Sequence, residues 1–296
     1  MTNIARFGAV GCAMVTPFDA ELRLDVKAAA DLAKWLCSHG NDFLVVTGTT
    51  GESPALSDDE KVALWSAVAA AVDVPVLAGT STSDTAHSAA LTRRAVQSGV
   101  AGILAVTPYY NRPSQAGIEA HFRAIGEAAG DLPVLLYDIP VRTGRKVDAE
   151  VILRLAGEGV IAGVKDATAN PAASAELIAR KPDGFDVYSG NDGDTLALLA
   201  VGAVGVISVE SHWAGELVGE MIAAFTKGDV ELARALNARL IESHRFQSTD
   251  EAPNPVPAKA VMRALGLAVG ECRPPMGNAP AGLDAAAVRL IESLRG

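Results

Sequence analysis

Hydrophobic positions along this 296-residue chain alternate between two textures. Short apolar runs, rich in β-branched residues, occupy 9–15, 43–47, 74–78, 102–107, 134–137, 160–165, 185–188 and 205–209. Longer Ala- and Leu-rich stretches with helical spacing separate them. The runs predict buried strands and the stretches predict helices, some with explicit start signals. Ser57-Asp58-Asp59-Glu60 precedes the helical stretch 62–72, and Ser83-Asp84 precedes one ending at Ser98-Gly99. Eight such βα units in succession predict an α/β fold, a closed (β/α)8 TIM barrel. An open, doubly wound sheet is the alternative. It usually carries a Gly-rich dinucleotide turn after its first strand, whereas here that run leads into Thr16-Pro17-Phe18. Beyond Phe225 the alternation stops, and 229–246, 257–267 and 283–294 read as helices. The expected organisation is a barrel over residues 1–225 with a C-terminal helical extension over 226–296, without a separate second domain.

Composition removes several classes of function. With 49% hydrophobic and 20% charged residues the chain is not disordered. Its 35 acidic against 25 basic residues give a net charge of -10 and a pI near 5.0. That balance lacks the basic footprint of a nucleic-acid or anionic-membrane binder, so neither partner is expected. Mean hydropathy is positive, at +0.23. No window of about 18 apolar residues is free of charges and Gly/Pro breaks, however, and no membrane span is expected. The N-terminal MTNIARFGAVGCAMVTPF is interrupted at Gly8 and Gly11, ends at Pro17 and has no cleavage pattern, which predicts a cytoplasmic protein. Cys12, Cys37 and Cys272 are odd in number and far apart, as suits reduced thiols. No cysteine has metal-ligand spacing, and His39, His87, His121, His212 and His244 fall on separate elements as surface or satisfied core residues. No metal is expected.

Barrels of this kind place their chemistry at the C-terminal ends of the strands. The runs here end in Thr16-Pro17, Gly48-Thr49-Thr50-Gly51-Glu52, Gly79-Thr80, Thr107-Pro108-Tyr109-Tyr110, Tyr137-Asp138, Lys165-Asp166, Ser189-Gly190 and Ser208. Hydroxyls and glycines surround one cation, with no converging histidines or paired carboxylates. This argues against a metal hydrolase or a two-carboxylate glycosidase and suits a small anion or carbonyl as ligand.

Lys165 follows Ile161-Ala162-Gly163-Val164 inside an apolar run, where a lysine is rarely tolerated without a task. One reading pairs it with Asp166 or another carboxylate. The other makes it a nucleophile: an exposed lysine is free amine only to about one part in a thousand near pH 7.4, and desolvation releases more. Such an amine attacks ketones, and the protonated imine lets the adjacent carbon lose a proton to become an enamine. Tyr137 ends the preceding run, either as a proton shuttle for that chemistry or as ordinary strand filler. The Gly48-Thr49-Thr50-Gly51 turn offers adjacent N–H groups and hydroxyls to a carboxylate, a weak signal by itself, and no Walker pattern follows.

Four segments carry a more specific message. Gly48-Thr49-Thr50-Gly51-Glu52-Ser53, Thr107-Pro108-Tyr109-Tyr110-Asn111-Arg112-Pro113, Tyr137-Asp138-Ile139-Pro140 and Gly163-Val164-Lys165-Asp166-Ala167-Thr168 stand in order along nearly the whole chain. Together they resemble the pyruvate-dependent class I aldolase family that contains dihydrodipicolinate synthase and N-acetylneuraminate lyase. The resemblance implies a (β/α)8 barrel with a helical extension, a Schiff base between Lys165 and pyruvate, Tyr137 as the central proton-transfer residue, and no cofactor. It also implies a homotetramer built as a dimer of dimers, in which Tyr110 enters a neighbouring subunit's site and completes a relay with Thr49 and Tyr137.

Within the family, paired Thr49 and Thr50, Pro108-Tyr109-Tyr110 and Val141-Arg142-Thr143-Gly144 resemble the synthase branch. There the second substrate is L-aspartate 4-semialdehyde, whose carboxylate Arg142 would receive through its guanidinium fork. Without the motif, Arg142 reads as a solvent-facing loop cation. Thr50, Gly190 and Ile207 are implied to line the pyruvate pocket, and Asn254-Pro255-Val256-Pro257-Ala258-Lys259 resembles the segment before the synthase's tail helix. Asn191 and Glu210-Ser211-His212 depart from the pattern, but none is expected to touch the lysine chemistry. Another aldolase or dehydratase of the family, acting on a sugar acid or hydroxy-oxoacid, is the alternative; a non-catalytic carboxylate sensor fits the joint set less well. Pro54, Asp58, Lys61, Ser83 and His87 occupy the positions where feedback-sensitive members bind lysine, and they imply weak or absent inhibition. Independently of the resemblance, Asp58 and Lys61 read as an exposed helix start.

Overall fold

The structure is a computed structural model and describes residues 5–295, so the first four residues of the N-terminal stretch lie outside the described residues. Each apolar run becomes a strand of four or five residues. They are β1 (Val10–Ala13), β2 (Phe43–Val46), β3 (Val76–Gly79), β4 (Gly102–Val106), β5 (Val134–Asp138), β6 (Gly163–Asp166), β7 (Asp186–Ser189) and β8 (Gly205–Ser208). They pair in parallel in chain order, and β8 pairs with β1 to close the barrel. The open-sheet alternative is thereby excluded.

Because strand side chains alternate in direction, each strand feeds two cores. Leu44, Ile103, Leu136, Val164 and Val187 point outward into the layer shared with the helices. Phe43, Val45, Leu77, Leu104, Leu135, Tyr137, Tyr188 and Ile207 fill the barrel interior. Both faces of each strand are thus covered, which is why the runs are continuously apolar rather than alternating.

The helices between and after the strands are α1 (Val26–Cys37), α2 (Asp58–Ala71), α3 (Thr85–Val96), α4 (Gln115–Ala129), short α5 (Pro140–Thr143), α6 (Ala149–Gly157), α7 (Pro171–Arg180), α8 (Thr195–Ala200) and α9 (Ser211–Thr226). Three more follow: α10 (Val230–Phe246), α11 (Val256–Ala264) and α12 (Leu283–Arg295). Start signals act as expected: Ser57 and Glu60 form a capping box on α2, and Asp84 caps α3. The differences from expectation have local causes. The sixth strand starts at Gly163 rather than 160 because the N–H groups of Val160 and Ile161 turn back to Leu155 O and close α6. The third starts at Val76 because Pro75 has no amide hydrogen to give.

Helix α10 packs on α9, and α11 on α12. Among the described residues no helix is long and apolar enough to cross a membrane. All three cysteines are free, with Cys12 and Cys272 buried and Cys37 half-buried.

Candidate active site

The register of β5 and β6 sets Tyr137 beside Lys165. Both lie on the inward face, and Lys165 Nζ sits 4.4 Å from the centroid of the Tyr137 ring. Asp166, the next residue, necessarily faces the other way. Its carboxylate accepts from Thr168 N and Oγ1 at 2.9 and 2.7 Å and from Ser174 Oγ at 2.5 Å. The reading of Lys165 as an ion pair with Asp166 is therefore ruled out. Lys165 is 5% exposed. Burial pulls its pKa down to about 8, against the opposing charge of Asp192, which stops short of an ion pair.

Lys165 opens into a cavity of about 270 Å³ at the C-terminal end of the barrel, lined also by Thr49, Thr50, Tyr137, Arg142 and Gly190. An adjoining lobe of about 210 Å³ shares Thr49, Tyr137 and Arg142 and adds Ser53, Pro54, Ser81 and Tyr109. Burial pushes the Tyr137 phenol up to about 12, opposed by the Arg142 charge and a hydrogen bond with Thr49. The phenol is thus a neutral donor across the physiological range, able to hold a proton and pass it on.

The Thr49/Thr50 turn closes through Glu52 N to Thr49 O and Ser53 N to Gly48 O, and Thr16 Oγ1 donates to Gly51 O at 2.6 Å. Gly79 lets β3 pass against it, since a Cβ there would lie 2.4 Å from Thr47 O. Gly190 has the same role beside β6: a Cβ would meet that of Ala167 at 2.8 Å.

Two sequence-derived site residues stand apart. Tyr110 is 93% exposed, so the single chain does not bring it to Thr49 and Tyr137; its neighbour Tyr109 lines the lobe instead. Ile207 is buried in the inner barrel layer rather than along the cavity wall.

With this geometry established, comparison with known proteins is specific. The profile of the Dihydrodipicolinate synthetase family matches residues 6–293. The chain belongs to that family. It is a lyase family acting through a Schiff base, in keeping with a buried lysine that has no ion-pair partner among the described residues. A 4-hydroxy-tetrahydrodipicolinate synthase from Acidothermus cellulolyticus is 48% identical over 94% of this chain and 89% of that protein. The crystal structure of a dihydrodipicolinate synthase from Bacillus anthracis has a TM-score of 0.93 at 39% identity, covering 98% of this chain and 99% of that one. A lysine-bound structure from Cyanidioschyzon merolae has a TM-score of 0.95 at 37% identity, with the same coverage.

Several residues of this family member's cavity wall were not placed there by the sequence. Asp192, His244, Gln247, Ser248 and Asn254 line the wall around Lys165. Asp192 accepts from the N–H groups of Val209 and Glu210. Glu210 is buried against His244 Nε2 at 3.1 Å and Gln247 Nε2 at 3.3 Å, and burial raises its pKa to about 8. The departures after β8 are thus one bond removed from the lysine's surroundings, through Asp192. His244 is neither surface nor core but cavity wall. Nothing in the helical periodicity of α10 marks it, and its partner is 34 residues away.

The other histidines hold to their expected roles: His212 Nε2 accepts from Val15 N at 3.0 Å while Nδ1 donates to Val209 O, deep in the core. The exposed-helix reading of Asp58 and Lys61 is corrected. Lys61 is 4% exposed, and half-buried Asp58 pairs with His87 Nε2 at 2.8 Å, because α2 and α3 pack together there.

Proposed function

We propose that this chain condenses pyruvate with L-aspartate 4-semialdehyde to form 4-hydroxy-tetrahydrodipicolinate, the reaction of lysine and diaminopimelate biosynthesis. The observation that carries it is Lys165, buried beside Tyr137 in the cavity with no ion-pair partner among the described residues. With its pKa near 8, about a fifth of the amine is unprotonated at pH 7.4. The amine attacks the pyruvate ketone, water leaves, and an imine forms. Loss of a methyl proton gives the enamine, whose carbon attacks the aldehyde; the new alkoxide takes a proton. The amino group of the semialdehyde then adds to the imine carbon and displaces Lys165, closing the ring.

In this reading Thr49 and Thr50 hold the pyruvate carboxylate, Tyr137 moves the protons and Arg142 receives the second carboxylate. Gly190 supplies backbone to the pocket, and Ile207 supports it from below. Arg142 favours the semialdehyde over a neutral sugar aldehyde, because a guanidinium at the rim pairs with a second carboxylate.

Borohydride reduction in the presence of pyruvate, read by intact-mass spectrometry, tests the assignment. A pyruvate-sized adduct on Lys165 is expected, absent in Lys165→Ala, together with a loss of condensation activity on the order of 10⁴-fold or more. Full activity in Lys165→Ala would overturn it.

The proposal extends to a cytoplasmic homotetramer, a dimer of dimers; the 93% exposure of Tyr110, which lies outside the cavity of its own chain, leaves that side chain available to a neighbouring subunit. Analytical ultracentrifugation checks it: an active monomer would contradict the role of Tyr110 across subunits.

A further inference from the structure

Thr50 is buried, yet it lines the cavity that holds Lys165. Its Oγ1 accepts a hydrogen bond at 2.9 Å from Asn254 Nδ2, which stands just before α11 and 204 residues further along the chain. A hydroxyl has one proton and two lone pairs. The amide fills a lone pair, and among the described residues no acceptor takes the Thr50 proton. That proton is left for whatever occupies the cavity. The backbone N–H of Asn254 donates to Ser248 Oγ at 3.2 Å, which holds its main chain in place, while its side-chain Oδ1 is buried without a hydrogen-bond partner among the described residues, so the bond to Thr50 is the one that orients the amide.

The same tail segment also fastens the rest of the turn. Glu52 sits in the left-handed region at φ +55, unusual for a residue with a side chain. Its carboxylate is held by Lys259 Nζ at 2.7 Å and by the backbone N–H of Arg273 at 2.8 Å. The Arg273 guanidinium then donates to Leu22 O and Ala55 O, both at 2.9 Å. Groups from residues 254–273 therefore grip both Thr50 and its strained neighbourhood.

We infer that Asn254 is a positioning residue for the substrate carboxylate: it turns the Thr50 hydroxyl so that its proton is donated into the cavity, on a turn that Lys259 and Arg273 hold in place. The inference rests on the pyruvate chemistry proposed above. An amide nitrogen donating to the hydroxyl also polarises it and strengthens the bond it gives onward.

The test is the pyruvate dependence of borohydride trapping on Lys165, which separates half-saturating pyruvate from the extent of trapping at saturation. Asn254→Ala is expected to raise half-saturating pyruvate about tenfold, with the saturated extent unchanged. Asn254→Asp keeps the shape but accepts the Thr50 proton and adds negative charge, and is expected to raise it on the order of a hundredfold. In a Thr50→Val background Asn254→Ala should add nothing, whereas in Thr50→Ser, which keeps the hydroxyl, its effect should return. Additive effects with Thr50→Val, or unchanged half-saturation in Asn254→Asp, would overturn the inference while leaving the function intact. A wild-type chain that never traps pyruvate would overturn the function itself, and the inference with it.

Discussion

Lys165 and Lys259 share a residue type and near-complete burial but differ in what faces their ammonium groups. Lys259, on α11, is 0% exposed and meets Glu52 at 2.7 Å, Glu271 O at 2.9 Å and the face of Phe18 at 4.3 Å. Lys165, inside the barrel mouth, lies 4.4 Å from the centroid of the Tyr137 ring and has no carboxylate within ion-pair reach among the described residues. Burial pushes both pKa values down, and at Lys259 the Glu52 carboxylate pushes back. A compensated buried lysine is a brace; an uncompensated one facing a cavity is a reagent. Burial alone therefore does not distinguish structure from chemistry in this protein, whereas the partner does.

The largest effect that could break this contrast is at the brace. Removing one member of a buried ion pair leaves the other as an uncompensated charge, which typically costs about 3–5 kcal/mol. Lys259→Met should lower the unfolding free energy in urea by that amount. Adding Glu52→Gln should restore a large part, because the stranded carboxylate is then neutral and still accepts from Arg273 N. A cost below about 1 kcal/mol for Lys259→Met would mean that the pair does not brace the turn, and the two lysines would be less different than their surroundings suggest.

Most of the barrel was legible because its strands are covered on both faces and so form continuous apolar runs; even the ends missed at 160 and 74 failed for local reasons, a helix closing on Leu155 O and a proline. Lys165 and Tyr137 were legible because strand periodicity and the closing of each run put them on one face at one end. What periodicity could not carry was the far wall of the cavity. Asp192, Glu210, His244 and Asn254 come from loops and a helix end, and their contacts span 17 to 204 residues. The partner of Lys259 was equally hidden. Asn254 and Lys259 were visible as a Pro-punctuated motif, but that they reach Thr50 and Glu52 follows only from the folded chain. Tyr110 shows the converse: a motif residue whose assigned role lies outside a single chain.

The smallest effect is also the one that sharpens the contrast most, because its sign is opposite. In the unfolded chain Lys165 titrates near 10.5, and in the folded chain near 8. Below pH 8 both states are protonated, so the native state carries the cost of a buried ammonium, at most about 3 kcal/mol for a shift of this size. Between pH 8 and 10.5 the unfolded chain binds more protons than the native one, and wild-type stability rises with pH on account of this group. Lys165→Met keeps the length of the side chain and removes the charge. It should therefore be more stable than wild type at pH 7, by about 1–3 kcal/mol in urea unfolding, and the gap should close as the pH approaches 10. Lys259→Met has no such gain to show, since it strands the buried Glu52 carboxylate that Lys259 meets at 2.7 Å. If Lys165→Met instead lost stability at pH 7, the Lys165 ammonium would have to be held by a partner as Lys259 is. The free amine that makes the barrel mouth reactive would then lose its physical basis.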